Sequence, residues 1–173
     1  MELGKAMGAR VVAAASSEEK VAAARERGAD EGVVYPRDPD DPKALSALFK
    51  KACGADGAHV VYDAVGGAYS EAAIRALAWK GHHLVIGFPA GIPAVPLNLM
   101  LLKGASVDGV FWGAFTEREP EVHRRNTSEL MELYAQGRIR PQISARYPLA
   151  QGGQAIRDLA ERRAVGKVVV VVE

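Results

Sequence analysis

Ser16 and Ser17, with Lys20 one helical turn further on, have types and spacing that suggest anion chemistry. They follow the apolar run Val11-Val12-Ala13-Ala14-Ala15, where a buried strand would end. A dinucleotide site selective for NAD usually places Asp or Glu at this strand end, to bind ribose hydroxyls. Two hydroxyls and a lysine suit a 2′-phosphate instead, which an acid would repel. Arg37 can add charge. The plain alternative is a helix cap: Ser16 or Ser17 ahead of first-turn Glu18 and Glu19, with Ser16 and Glu19 at capping-box spacing and Lys20 solvated. No acid occupies the strand end itself, which favours the phosphate.

Two glycine-bearing segments carry the second signal. Asp63-Ala64-Val65-Gly66-Gly67 and Gly87-Phe88-Pro89-Ala90-Gly91 each follow a β-branched run. Small residues beyond strand ends let a flat ligand approach the backbone. They also serve as ordinary turns that need unusual dihedrals. Other candidates point to packing. His59, His82, His83 and His123 show no metal-ligand spacing with one another or with Cys53, so no metal site is expected. His82-His83 reads as a partly exposed strand start, Cys53 as a small packing residue, and Trp79 and Trp112 as covers for the sheet. Arg124-Arg125 and Arg162-Arg163 lie beside acids on helical stretches, as solvated faces do. Neither a Gly-x-Ser-x-Gly elbow nor a P-loop is present.

These residues must be positioned by short strands alternating with helices. Strand runs are Val11 to Ala15, Val33 to Tyr35, His59 to Tyr62, His83 to Ile86 and Val107 to Phe111. Helical spacing covers Glu18 to Arg27, Pro42 to Ala52, Ser70 to Ala78 and Glu119 to Gln136, with a short turn over Leu97 to Leu102. Gly28 and Gly54 sit where helices would end, and Asp38-Pro39-Asp40-Asp41-Pro42 where one would open. Several strand runs are continuously apolar, as in parallel strands buried on both faces. The pattern implies an α/β fold, a doubly wound parallel sheet. After Gln136 it changes to a strand (Ile143 to Tyr147), a helix (Leu149 to Arg163) and a last strand ending Val168 to Val172.

Composition sets the outer bounds. The 173 residues are 49% hydrophobic and 25% charged, the profile of an ordinary globular chain. With a net charge of +1, no global field recruits nucleic acid or an anionic membrane. No apolar run approaches the roughly 20 residues of a membrane span. The first residues are too polar for a secretory signal. One cysteine excludes an internal disulfide and a cysteine-rich zinc site. A cytosolic location is expected.

The motifs, in order, resemble the zinc-independent quinone oxidoreductases of the medium-chain dehydrogenase/reductase superfamily. They are Leu3-Gly4-Lys5-Ala6-Met7-Gly8-Ala9-Arg10-Val11, Ser17-Glu18-Glu19-Lys20, Gly28-Ala29-Asp30, Tyr62-Asp63-Ala64-Val65-Gly66-Gly67 and Ile86-Gly87-Phe88 with Gly91. Pro96 to Lys103, Gly109-Val110-Phe111-Trp112-Gly113 and Gly166-Lys167-Val168-Val169 continue the series. The resemblance implies NADPH-dependent hydride transfer to quinones or activated enones, without zinc. It implies that Ser17, Lys20 and Tyr35 hold the adenosine 2′-phosphate end. It also implies that Asp63 to Gly66 and Gly87-Phe88 line ribose and nicotinamide, and that Phe111, Trp112 and Gly113 present backbone to the carboxamide.

Relatives in that family are about twice as long, with a barrel-like substrate domain ahead of the cofactor domain. The chain is therefore read as 1–136, a Rossmann-like domain lacking its first strand and glycine-rich turn, and 137–173, a strand-helix-strand that would join the absent substrate domain. It is expected to be inactive alone, and relatives suggest a homodimer through the edge strand near Ala105 to Phe111. A non-catalytic nucleotide-binding or dimerisation module is the alternative. A methyltransferase would also place an acid and glycines after a strand, but the order of motifs disfavours it. In the doubly wound order 3-2-1-4-5-6 the absent first strand is central, and Val168 to Val172 is a candidate to fill that slot.

Overall fold

Among the residues described, 1–172 except Asp40 and Arg162, the computed structural model pairs every strand with a parallel neighbour. The predicted opening at Asp40 and the solvated face at Arg162 lie outside them. A short helix α1 (Glu2–Ala6) precedes β1 (Val12–Ala15), α2 (Glu18–Glu26) and β2 (Glu31–Val34). Then come α3 (Pro42–Cys53), β3 (Ala58–Asp63), α4 (Ala68–Arg75), β4 (Leu77–Val85), α5 (Leu97–Lys103) and β5 (Ser106–Gly109). Helices α6 (Trp112–Arg118) and α7 (Pro120–Ala135) lead to β6 (Ile143–Pro148), a 3-10 turn (Leu149–Gln151), α8 (Gly152–Ala160) and β7 (Lys167–Val171).

The strands form three separate ladders: β1-β2, β3-β4-β5 and β6-β7. The first two match the halves of a doubly wound sheet on either side of its missing central strand. The expectation that the last strand fills this slot is overturned. β7 pairs with β6 in register Ile143↔Lys167 to Pro148↔Val171, outside the gap. The reason is local: α8 supplies the crossover between two neighbouring parallel strands, so β7 meets β6 before anything distant.

Side chains set the element ends. Ser17, not Ser16, is the N-cap of α2, its Oγ accepting from the Lys20 amide at 3.4 Å. Asp41 caps α3 by accepting from the Lys43 and Ala44 amides at 2.8 and 3.1 Å. The stretch Ala76 to Ala78, predicted as helix, instead opens β4. Apolar small residues suit either state, and the start of β3 decides it, the Ala58 amide donating to the Ala76 carbonyl. Opposite His59, β4 carries extra residues at Ala78-Trp79-Lys80, where Lys80 has φ 59°.

Two apolar clusters hold the halves. Val33, Leu45, Phe49, Tyr69, Ala72 and Ala76 bury together, joining β2 to α3 and α4. Ile74, Leu77 and Leu99 form the second, between β4, α4 and α5. Arg10, just before β1, donates to the Cys53 and Ala52 carbonyls at the end of α3, at 3.3 and 3.1 Å. Helices α3 and α4 and this arginine thus tie the two half-sheets across the gap. Cover is incomplete: Val60 and Tyr62 of β3 are 57% and 70% exposed. Trp79 and Trp112, expected to cover the sheet, are mostly exposed as well.

Candidate functional site

The C-terminal ends of β3, β4 and β5 lie side by side, because the register pairs Asp63 with Val85 and Val85 with Gly109. The Val110 amide extends the ladder by donating to the Val85 carbonyl at 2.9 Å. This alignment brings Asp63, Val65 and Gly66, Gly87 and Phe88, and Phe111, Trp112 and Gly113 to one edge of one sheet. Phe88, Phe111, Trp112 and Gly113 are exposed there.

Asp63 is the buried anchor of this edge. Its Oδ1 accepts from the amides of Val65 and Gly66, both at 2.9 Å. Its Oδ2 accepts from Ser70 Oγ at 2.5 Å and lies 3.1 Å from His83 Nε2. Burial alone would raise the carboxyl pKa. The bonds from His83, Ser70, Gly66 and Val65 outweigh it and hold the group well below the usual carboxylate range. Both oxygens are occupied, so Asp63 is a structural anion and not a proton acceptor. It shapes the turn that follows.

That turn locks against the next one. The Gly67 amide donates to the Gly91 carbonyl at 2.7 Å, and the Ala90 amide to the Val65 carbonyl at 2.9 Å. Gly66 has φ +79°, and a Cβ there would stand 2.5 Å from Phe88 Cβ and 2.7 Å from the Gly91 carbonyl oxygen. Only glycine fits. At Gly87, by contrast, an added Cβ would meet nothing within 4 Å. The surface over Gly87 is open to a flat group, bounded by Phe88.

The residues assigned to the phosphate end lie on the other half-sheet. Ser16 and Ser17 follow β1, and Ser17 Oγ serves the cap described above. Lys20 lines a cavity of about 250 Å³ with Met1, Glu2, Arg27, Gln142 and Gly166. Tyr35 continues β2, its amide donating to the Ala15 carbonyl, while its ring packs on Tyr69 at 4.8 Å and edge-on to Phe49 at 6.3 Å. No carboxylate stands at the end of β1 itself.

His83 and Ser70 were missed from sequence. His82-His83 was expected to be partly exposed; His82 is, but His83 is only 1% exposed. Strand alternation holds the signal, since adjacent residues face opposite sides and one of the pair must point inward. Nδ1 of His83 finds no partner among the described residues. Nε2 is the ring nitrogen that faces the Asp63 carboxylate and donates to it. Exposed His82 meets Ser106 Oγ at 2.8 Å and Asp108 Oδ2 at 3.2 Å. Among the described residues no three His, Cys, Asp or Glu side chains converge as a metal centre.

Parallel strands with helical crossovers and glycine turns at their carboxyl ends define a Rossmann-like nucleotide-binding fold. Residues 1–128 match the zinc-binding dehydrogenase family. The chain belongs to that family, and it corresponds to the C-terminal half of the quinone oxidoreductase-like branch of the medium-chain dehydrogenases/reductases. It is 36% identical over 163 residues to quinone oxidoreductase-like protein 2 of Rattus norvegicus, covering 94% of this chain and 45% of the relative. With a quinone oxidoreductase of Pseudomonas aeruginosa it shares 31% over 169 residues, 96% of this chain and 50% of the other. A mycobacterial structure complexed with NADPH superimposes with TM-score 0.84 at 27% identity, over 98% of this chain and 51% of that one. The chain spans about half the length of the curated relatives it matches.

Proposed function

We propose that this chain is the cofactor-binding part of an NADPH-dependent quinone or enone oxidoreductase that works without zinc, in the cytoplasm. Its support is the edge where Asp63 pins the 63–67 turn against the 87–91 turn and leaves Gly87 open. Bound there, NADPH supplies the hydride, so the protein contributes orientation and electrostatics. Gly66 and Gly67 keep the backbone low, Phe88 flanks the open surface, and the Phe111 to Gly113 backbone bounds its far side. His83 and Ser70 hold Asp63 so that the turn does not move. At the other end Ser16, Ser17, Lys20 and Tyr35 are assigned to the 2′-phosphate, where no acid directly follows β1 and Lys20 supplies a cation.

Hydride transfer needs no acid or base from these residues. The rate comes from holding donor and acceptor carbons together. A quinone or enone would be held chiefly by the substrate domain that the family resemblance implies. A homodimer through the outer edge of β5 accompanies this reading. Titrating the chain with NADPH and with NADH, and following cofactor fluorescence, tests it. NADPH is expected to bind more tightly; equal affinity would sink the phosphate assignment.

A further inference from the structure

The far side of the cofactor edge is built on helices that have no core of their own. Helix α6 opens at Trp112, just beyond the end of β5, and neither α6 nor α7 buries a residue. Glu119 alone stands between them. Its amide donates to the Phe115 carbonyl at 2.9 Å, and its carbonyl accepts from the His123 amide at 2.9 Å. Pro120 fixes the backbone where α7 begins. The corner is therefore tight, and it sets where the first turn of α7 stands against α6.

Trp112 and Phe115 are three residues apart and share one face of α6. Both meet the imidazole of His123. Its ring centroid lies 5.8 Å from that of Trp112 at 80°, and 6.4 Å from that of Phe115 at 85°. These are edge-on pairs, a favoured aromatic geometry. Among the described residues the imidazole makes no hydrogen bond or ion pair, so its ring contacts are its role. Backbone contacts steady both sides: Thr127 Oγ donates to the His123 carbonyl at 2.9 Å, and Thr116 Oγ to the Gly113 carbonyl at 2.8 Å.

We propose that His123 is a positioning residue of the cofactor edge. Its ring clamps Trp112 and Phe115, and so holds the Phe111 to Gly113 backbone at the height that receives the nicotinamide end of the cofactor. Three observations carry this. The entry to α6 is anchored on β4 by the Val110 amide, whereas the hydrogen bonds described for 111–119 stay within α6 and its corner with α7. Trp112 is 65% exposed, so its ring has no buried pocket to hold it. A solvated histidine would leave that ring free to change rotamer, and two edge-on contacts restrict it. The cofactor role of this edge rests on the functional reading above; the clamp rests on the ring geometry. Since the corner buries no residue, the clamp orders the edge without supporting the two half-sheets.

The test uses the 173-residue chain carrying Trp79→Phe, which leaves Trp112 as its one tryptophan. Trp79 is exposed near the start of β4, at the opposite end from the cofactor edge. Fluorescence anisotropy of Trp112 is expected to fall in His123→Ala and to return in His123→Phe, which keeps a ring. Calorimetric titration compares NADPH with adenosine 2′,5′-bisphosphate, which lacks the nicotinamide. His123→Ala is expected to weaken NADPH about fivefold or more and to leave the bisphosphate within about twofold. His123→Phe is expected to restore NADPH. Urea midpoints are expected to match the parent in both variants, which separates the clamp from the fold. Unchanged Trp112 anisotropy overturns the proposal. Equal weakening of both ligands, or NADPH affinity held at the parent value in His123→Ala, overturns it too and leaves the functional reading standing. A parent chain that binds neither ligand sinks the functional reading, and the positioning role falls with it.

Discussion

Oδ2 of Asp63 lies 3.1 Å from Nε2 of His83, and both side chains are buried beneath the turn that ends β3. The pair couples the end of β3 to β4 through side chains as well as through the ladder. It also makes the turn sensitive to acid. The folded carboxyl titrates below its unfolded value of about 3.9, so its stabilisation is present above that pH and is lost as pH falls toward the folded pKa. Asp63→Asn is expected to unfold more easily than the parent at pH 7. The gap between the two narrows by about 1 kcal/mol from pH 5 to pH 3. Urea midpoints across that range check it; a constant gap would refute it.

Gly66 and Gly87 separate conformational need from open space. Gly66→Ala forces a Cβ into the Phe88 and Gly91 backbone at positive φ, and is expected to cost more than about 2 kcal/mol. Gly87→Ala meets nothing and is expected to stay within about 0.5 kcal/mol in the free protein. Denaturant unfolding gives both. Gly87→Ala should nevertheless weaken NADPH binding by crowding the open surface.

Lys20→Glu places an acid beside the end of β1. In cofactor titrations of the chain it is expected to shift preference from NADPH toward NADH by about tenfold or more. An unchanged ratio of the two Kd values would show that Lys20 does not meet the phosphate.

The dimer edge can be tested without disturbing the sheet. The Val110 amide faces β4, so by alternation Val107 faces outward from β5. Val107 is 43% exposed, and Leu97, Leu101 and Leu102 of nearby α5 are exposed too. The parent is expected to sediment as a dimer at micromolar concentration and Val107→Pro as a monomer. A monomeric parent would end the assignment.

The strand-helix alternation was legible because its signals are local. Val11 to Ala15 and His59 to Tyr62 are β-branched or small runs bounded by turn residues, and Pro42 follows a capping Asp41. What escaped depended on distant partners. Ala76 to Ala78 became strand because Ala58 needed a neighbour, and β7 chose β6 because α8 brought the two together. At the site, Asp63 and Gly66 were visible as a strand-end acid and a turn glycine. His83 and Ser70, which fix that acid, come from β4 and α4, and no spacing along the chain links them to it. The exposure of Val60 and Tyr62 was also hidden, since an apolar run does not say whether its covering layer is present.

The self-contained pairing of β6 with β7 bears on how the molecule comes apart. Apart from the single buried side chain of Ile139, the segment leading into β6 is tied to the rest by polar contacts: Arg27 Nη1 to the Arg140 carbonyl at 2.9 Å, the Arg140 amide to Glu2 Oε1 at 3.1 Å, and Arg138 to the Ala6 carbonyl. These are exposed hydrogen bonds, and water can replace each of them at little cost. A two-stranded ladder under one helix is itself marginal in water. Cooperativity should therefore break at this wet seam. The last thirty residues open and reclose as a separate foldon while the half-sheets around Asp63 stay shut, and brief proteolysis should cut near Pro141 before it reaches any strand of the cofactor edge.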